Sequence, residues 1–83
     1  MRKNNLQERI ASIQHEIWSH WMKYLFEVSV LNKNGSVTIP PDFCKRWKRQ
    51  MELSYHLLSD KEQESDRDQA DKVLEKLSAS DFR

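Results

Sequence analysis

The chain has 83 residues, 33 % of them charged, and a formal net charge of +1, so no whole-molecule field would draw it to nucleic acid or to an anionic membrane. A chain this short buries only about 60 to 65 % of the surface it exposes when unfolded, which leaves one domain with a modest core and makes a homo-oligomer the expectation. The lone cysteine, Cys44, excludes an internal disulfide, and no charged-then-apolar leader or long apolar run is seen, which reads as a cytoplasmic protein.

From about Asn5 to Leu31 apolar residues recur with helical spacing. Leu6, Ile10, Ile13, Ile17, Trp21, Tyr24, Val28 and Leu31 fall on one stripe at 100° per residue, which predicts a long amphipathic helix as far as Phe26. Beyond Phe26 the preferred reading is helix to about residue 30 and then a loop. The alternative is a short β-hairpin around residues 27–39, because Val28 and Val30 are β-branched and Asn34-Gly35 could turn the chain into Val37-Thr38-Ile39. A second apolar row, Ala11, His15, Trp18, Met22 and Phe26, is rotated roughly 100 to 140° from the first. One neighbouring helix cannot cover both rows. The second row therefore needs another element of this chain, another copy of it, or a ligand.

Ile39-Pro40-Pro41-Asp42 reads as the entry to a second helix, since proline is tolerated in a first turn where its missing N–H would have no partner. From Asp42 to about Leu53 this is a short basic helix, with Phe43, Cys44, Trp47 and Met51 on one face and Lys45, Lys48 and Arg49 pointing away. Tyr55 to Leu58 is an irregular connector. A third helix starts near Ser59, where Ser59 and Glu62 have the spacing of a capping box, and runs to about Ser78. Its apolar face is Ala70, Val73, Leu74 and Leu77, and its first turns from Asp60 to Gln69 have none. The fold class is thus mainly α, two long helices plus the short basic one, in a single domain over residues 1–83 with frayed ends at 1–4 and 78–83.

The polar half of the third helix is poorly served by its own charges. Asp60/Glu64, Glu62/Asp66, Glu64/Asp68 and Asp71/Glu75 are like charges four apart, each costing a few tenths of a kcal/mol, roughly, whereas Glu64/Arg67 and Asp68/Lys72 are favourable. A helix of that kind is either solvated or held by contacts elsewhere. The second reading gives Glu62, Asp66 and Arg67 fixed polar contacts. Arg67 would reach a carboxylate or backbone carbonyls, and Asp66 would accept from Tyr55 or from the aromatic helix. The basic block Lys45, Arg46, Lys48 and Arg49 and the acidic block Asp60 to Asp71 lie near each other or are simply solvated, or else the basic block is an anion site.

The segment Tyr55-x-x-Leu58-Ser59-x-x-Glu62-x-Glu64-x-Asp66-Arg67-x-x-Ala70-x-x-x-Leu74 resembles the C-terminal signature of the ryanodine-receptor (RyR) domain, and His15-Glu16-x-Trp18 resembles its N-terminal one. The motifs span most of the chain, and the layout is similar to stand-alone members from bacteria and bacteriophages. The Gly-Trp-x-Tyr-Gly turn of the receptor repeats is missing; Trp47-Lys48-Arg49-Gln50-Met51 precedes Tyr55 instead, so nothing located in that turn carries over. The resemblance implies two long packed helices with short strands or a third helix around them, and no catalytic role. It also implies hallmark positions at His15, Trp18, Tyr55, Asp66 and Arg67, and for the stand-alone members the sensing or sequestering of nucleotide-derived signals in phage–bacterium conflict. A phage-encoded member would act in the host cytoplasm.

His15 and His20 are five apart, rotated about 140°, so they cannot share one metal ion as residues four apart can. No metal, no cofactor and no catalytic residue is expected. With Gly35 the only glycine, a phosphate-cradling loop is excluded, and an anion would have to be held by Arg, Lys or a helix N-terminus. Two functions remain. One is a non-enzymatic module that binds a nucleotide-derived small molecule, with Arg46, Arg49 or Arg67 on phosphate and Trp18, Trp21, Trp47 or Tyr55 stacking on the base, supported by a structural polar network of His15, Glu62, Asp66 and Arg67. The other is an adaptor that docks on a host protein through an aromatic helix face. Near-zero net charge argues against nucleic acid.

Overall fold

The stripe that begins at Leu6 is what the first helix turns inward. In the computed structural model, which describes residues 5–77, helix α1 spans Asn5–Val28, strand β1 Val30–Leu31, strand β2 Val37–Thr38, helix α2 Pro41–Glu52 and helix α3 Asp60–Lys76, with a 3-10 turn at Tyr55–Leu57 between the last two. The molecule is mainly helical, as its periodicity predicts. The ends expected to fray, 1–4 and 78–83, lie outside the described residues.

The preferred helix-then-loop reading of residues 27–39 gives way to the hairpin. α1 stops at Val28, and β1 and β2 pair antiparallel with Val30 opposite Thr38 and Leu31 opposite Val37. The physical reason lies in the loop. Gly35 adopts φ 89°, a conformation that costs glycine little, and its N–H reaches the Asn32 carbonyl at 3.1 Å. The Asn34 side chain accepts from the Ser36 N–H at 3.0 Å, while the Asn32 amide donates to the Thr38 hydroxyl at 3.0 Å. These bonds give the two valine-bearing segments a turn stable enough to outcompete another helical turn. The reversal then delivers Pro40-Pro41 to the start of α2, whose Phe43 and Cys44 N–H groups both reach the Pro40 carbonyl at 3.1 Å.

α3 returns antiparallel along α1. Near its end, Lys76 is ion-paired with Glu16 at 2.5 Å and its carbonyl accepts from Arg9 at 3.2 Å, while Glu62 at its start lines the same cleft as Trp21 and Tyr24. Its rotation differs from expectation. The predicted face of Ala70, Val73, Leu74 and Leu77 is only partly covered: Val73 and Leu77 are half-buried, but Ala70 is exposed and Leu74 is 64 % exposed, and the inward row is Glu62, Ser65, Gln69 and Val73. That is roughly a quarter turn away. Polar anchors at both ends set the angle, Glu62 at one and Lys76 at the other, and four aliphatic side chains near one end do not override them.

The result is a thin core. Ile13, 3 % exposed, is the one buried apolar residue among those described, and the buried polar one is Gln69, 8 % exposed, whose Oε1 has no hydrogen-bond partner. The chain exposes 7166 Å² against the roughly 5,200 Å² of a compact monomer of its 10.0 kDa. Its radius of gyration is 16.5 Å, where about 12 Å is usual for this length.

A buried acceptor without a donor costs about 1–3 kcal/mol, and methionine has nearly the shape of glutamine. Gln69→Met should therefore raise the thermal midpoint in a calorimetric melt by roughly 4–8 °C, as a gain of about 1 kcal/mol does in a domain this size. A lowered midpoint would mean that the amide is satisfied by water in solution.

Candidate ligand cleft

Where α1, α2 and the start of α3 converge, an aromatic cluster forms. Tyr24 is its centre, with ring centroids 6.3 Å from Trp21, Phe43 and Trp47, each met edge-on, and Phe43 and Trp47 tilt together at 5.4 Å. These are the edge-to-face arrangements that aromatic quadrupoles favour. The sequence places them so because Trp21 and Tyr24 continue the inward stripe of α1, and Phe43 and Trp47 are one turn apart on α2. His20 extends the cluster, its ring edge-on to Trp21 at 5.2 Å.

The same convergence leaves a cleft of about 910 Å³. Trp21, Tyr24 and His20 from α1 and Trp47 and Met51 from α2 give it an apolar wall, while Arg46, Gln50, Lys61, Glu62, Ser65 and Asp66 supply polar groups. Its size is that of an ordinary small-molecule site, which runs to about 1,000 Å³.

Glu62 organises the polar side. One carboxylate oxygen accepts from the Ser59 N–H at 2.9 Å and the Ser59 hydroxyl accepts from the Glu62 N–H at 3.2 Å, so the capping box read from the sequence is closed. The other oxygen accepts from Arg49 and, at 2.7 Å, from the Gln50 amide. The Ser59 N–H, then the Ser59 hydroxyl, Gln50 and the Arg49 guanidinium together hold the Glu62 carboxyl below the usual carboxylate range, against the opposing effect of desolvation. The charge of Glu62 is thus spoken for. Arg46 instead lies over the Phe43 ring at 5.2 Å, and neither Arg46 nor Lys61 has a carboxylate partner among the described residues. Arg46 and Lys61 thus border an aromatic wall without an ion pair among the described residues, and Lys23, Glu27 and Asp66 line the same cleft, the two carboxylates suited to accept hydrogen bonds from a ligand's hydroxyl or amino groups.

The structure sorts the residues that the sequence singled out. Trp21, Arg46 and Trp47 meet in the cleft, joined by Glu62 and Asp66, which were read as structural. Arg49 is not on the lining and is taken up by Glu62. Tyr55 and Arg67 sit elsewhere. The Tyr55 side chain lies beside the Arg67 guanidinium and, with Glu64, raises its pKa; Arg67 donates to Glu64 at 3.1 Å and to Gln63 at 3.2 Å on its own helix. It reaches a carboxylate, as expected, but an exposed one. Asp66 accepts no hydrogen bond among the described residues. His15 stays out of the expected polar network: on the outer side of α1 it stacks on Trp18 at 5.8 Å and meets the Ser19 hydroxyl at 3.5 Å.

Trp18 itself is 55 % exposed and is not part of the cleft, so it is withdrawn from the ligand set. Tyr24, His20, Lys61 and Gln50 were missed. Tyr24 had been absorbed into the core stripe, and the inward aim of Lys61 follows from the unexpected rotation of α3. Among the described residues no three His, Cys, Asp or Glu side chains gather as metal ligands do, and Cys44 directs its thiol to the Ile39 carbonyl at 3.6 Å.

A depressed carboxyl pKa contributes stability that is complete above the ordinary carboxylate range and lost as the pH falls through the lowered value. Glu62→Gln retains the capping geometry and removes the titration. Its melting temperature should therefore fall less steeply on acidification than that of the wild type, whereas Ser59→Ala should lower the midpoint at all pH values by about 1 kcal/mol of lost cap. Parallel acid profiles for wild type and Glu62→Gln would refute the role given to the carboxylate.

Comparison with family models, with curated proteins and with solved structures yields no match for this chain. No described helix is long and apolar enough to cross a membrane.

Proposed function

We propose that this chain is a non-catalytic binding module whose cleft takes a nucleotide-derived small molecule, so that the protein acts as a sensor or a sponge for it. One observation carries the reading: Trp21, Tyr24 and Trp47 line the same cleft as Arg46 and Lys61, cations without a carboxylate partner among the described residues. A nucleotide presents the matching pair of features, a flat base for an aromatic surface and an anionic phosphate for a guanidinium. Asp66 adds an acceptor suited to a ribose hydroxyl or an exocyclic amine.

Two further facts support the same reading. Of the RyR-like signature that runs from Tyr55 to Leu74, Leu58, Glu62 and Asp66 are on the lining of this cleft, while Tyr55 and Arg67 are outside it. Glu62, the most deeply set carboxylate there, is occupied by a cap and two side-chain donors, which fits a scaffold better than a general acid or base that must exchange its proton.

Isothermal titration against cyclic dinucleotides and cyclic ADP-ribose isomers tests the proposal directly. At least one should release heat with one-to-one stoichiometry per cleft. Trp47→Ala should then weaken binding about tenfold or more, since stacking on one base is worth about 1–3 kcal/mol. Arg46→Ala should do so in a salt-dependent way, and Arg67→Ala, outside the cleft, should leave affinity unchanged. Silence across the whole panel removes the nucleotide, and equal losses for Arg46→Ala and Arg67→Ala remove the cleft.

A further inference from the structure

Helix α2 lends the cleft Arg46, Trp47, Gln50 and Met51. Their spacing of three and four residues sets them on one stripe of the helix, so a cation, an indole and an amide stand side by side. The cation suits a phosphate and the indole suits the flat face of a base. What the amide can do depends on which way it is turned.

That orientation is fixed. Gln50 Nε2 donates to the Glu62 carboxylate at 2.7 Å. An ionised carboxylate only accepts, so the amide must present its nitrogen to Glu62 and turn its oxygen away. Glu62 stays ionised through the neutral range, because the Ser59 N–H and its other donors hold the carboxyl below its usual range. The carboxylate is itself held by the cap and by Arg49, so it does not swing to accommodate a flipped amide. Gln50 Oε1 accepts no hydrogen bond among the described residues, and it is not shut away from solvent. What Gln50 offers a ligand is therefore an acceptor beside a second N–H, in one order only.

We propose that Gln50 reads the base edge and selects adenine, with Oε1 accepting from the N6 amine and Nε2 donating to N7 while Trp47 stacks on the ring. The inference rests on the nucleotide reading of the cleft and adds the identity of the base. Glutamine typically reads adenine in this bidentate manner. Side chains three apart on a helix have Cβ atoms about 5–6 Å from each other, which lets one base touch both Trp47 and Gln50. Guanine carries O6 where adenine carries its amine, which sets acceptor against Oε1. Cytosine has an amine but a single ring, and so gives the indole less surface to stack on. Asp66 is then left for a ribose hydroxyl, and Arg46, one turn from Gln50, for the phosphate.

Isothermal titration with pairs that differ at the base edge tests this: adenosine against inosine 5′-monophosphate, cyclic di-AMP against cyclic di-GMP, and cyclic ADP-ribose against its hypoxanthine analogue. In a pair that binds, the adenine member should bind roughly tenfold tighter or more, and cytidine 5′-monophosphate should bind more weakly than adenosine 5′-monophosphate. Gln50→Met, of nearly the same shape, should bring the two members of a pair level. A merely structural loss would weaken both alike and leave their ratio unchanged. Glu62→Gln keeps the helix cap but can donate as well as accept, so it lets the Gln50 amide flip and should also lower the preference for adenine. Hypoxanthine, guanine or cytosine bound as tightly as adenine, or a preference untouched by both substitutions, overturns the proposal and leaves the nucleotide reading standing. Silence to every pair removes that reading and this inference with it.

Discussion

The Glu62 carboxylate carries more of this structure than any apolar contact. It closes the start of α3, and through Arg49 and Gln50 it ties that start to α2. A carboxylate that caps a helix must lie at its first turn, and one that accepts from a neighbouring helix must face it. Meeting both demands fixes where α3 begins and how it is rotated. The cleft follows, because α2 and α3 are held apart at the distance of an ion pair and an amide hydrogen bond while their aromatic and polar side chains look into the same space.

A domain organised by polar contacts has a characteristic weakness. With Ile13 the one buried apolar residue among those described, little hydrophobic free energy is available to hold α3 in register, and the inward row carries the polar Gln69. The Lys76–Glu16 pair and the Arg9 bond to the Lys76 carbonyl hold the other end, but both lie at the surface. Surface ion pairs are worth little each, typically about 0.2–1 kcal/mol. The fold thus depends on several modest contacts acting together.

Two faces of α1 differ in this arrangement. The inward stripe builds the aromatic junction with α2 and so the aromatic wall of the cleft, while the outer row of Trp18, Met22 and Phe26 has no described element against it. The division comes from helical periodicity. A single stripe about a third of the circumference wide satisfies one neighbour, and α1 carries two such stripes more than 100° apart. Met22, Lys23 and Glu27 line both the cleft and the outer groove.

The sequence by itself determined the elements whose signals are local. The 3.6-residue stripe of α1 needs no partner to be read, the Ser59–Glu62 spacing is a contact within one turn, and Pro40-Pro41 marks a helix start by covalent constraint alone. Asn34-Gly35 announced a turn, but its competition with another turn of helix was close and was decided by side-chain bonds from Asn32 and Asn34. Half of the candidate site was legible in the same way: Trp21, Arg46 and Trp47 stand out as aromatic and basic residues at helical spacing. The rest was decided by tertiary structure. Lys61, Asp66 and Tyr24 share a cleft only because polar anchors rotate α3 a quarter turn from its aliphatic face. Trp18, proposed alongside Trp21, lies outside that cleft because the cleft's lining on α1 runs only from His20 to Glu27, past the turn that holds Trp18, and where α2 and α3 meet α1 is set by tertiary packing.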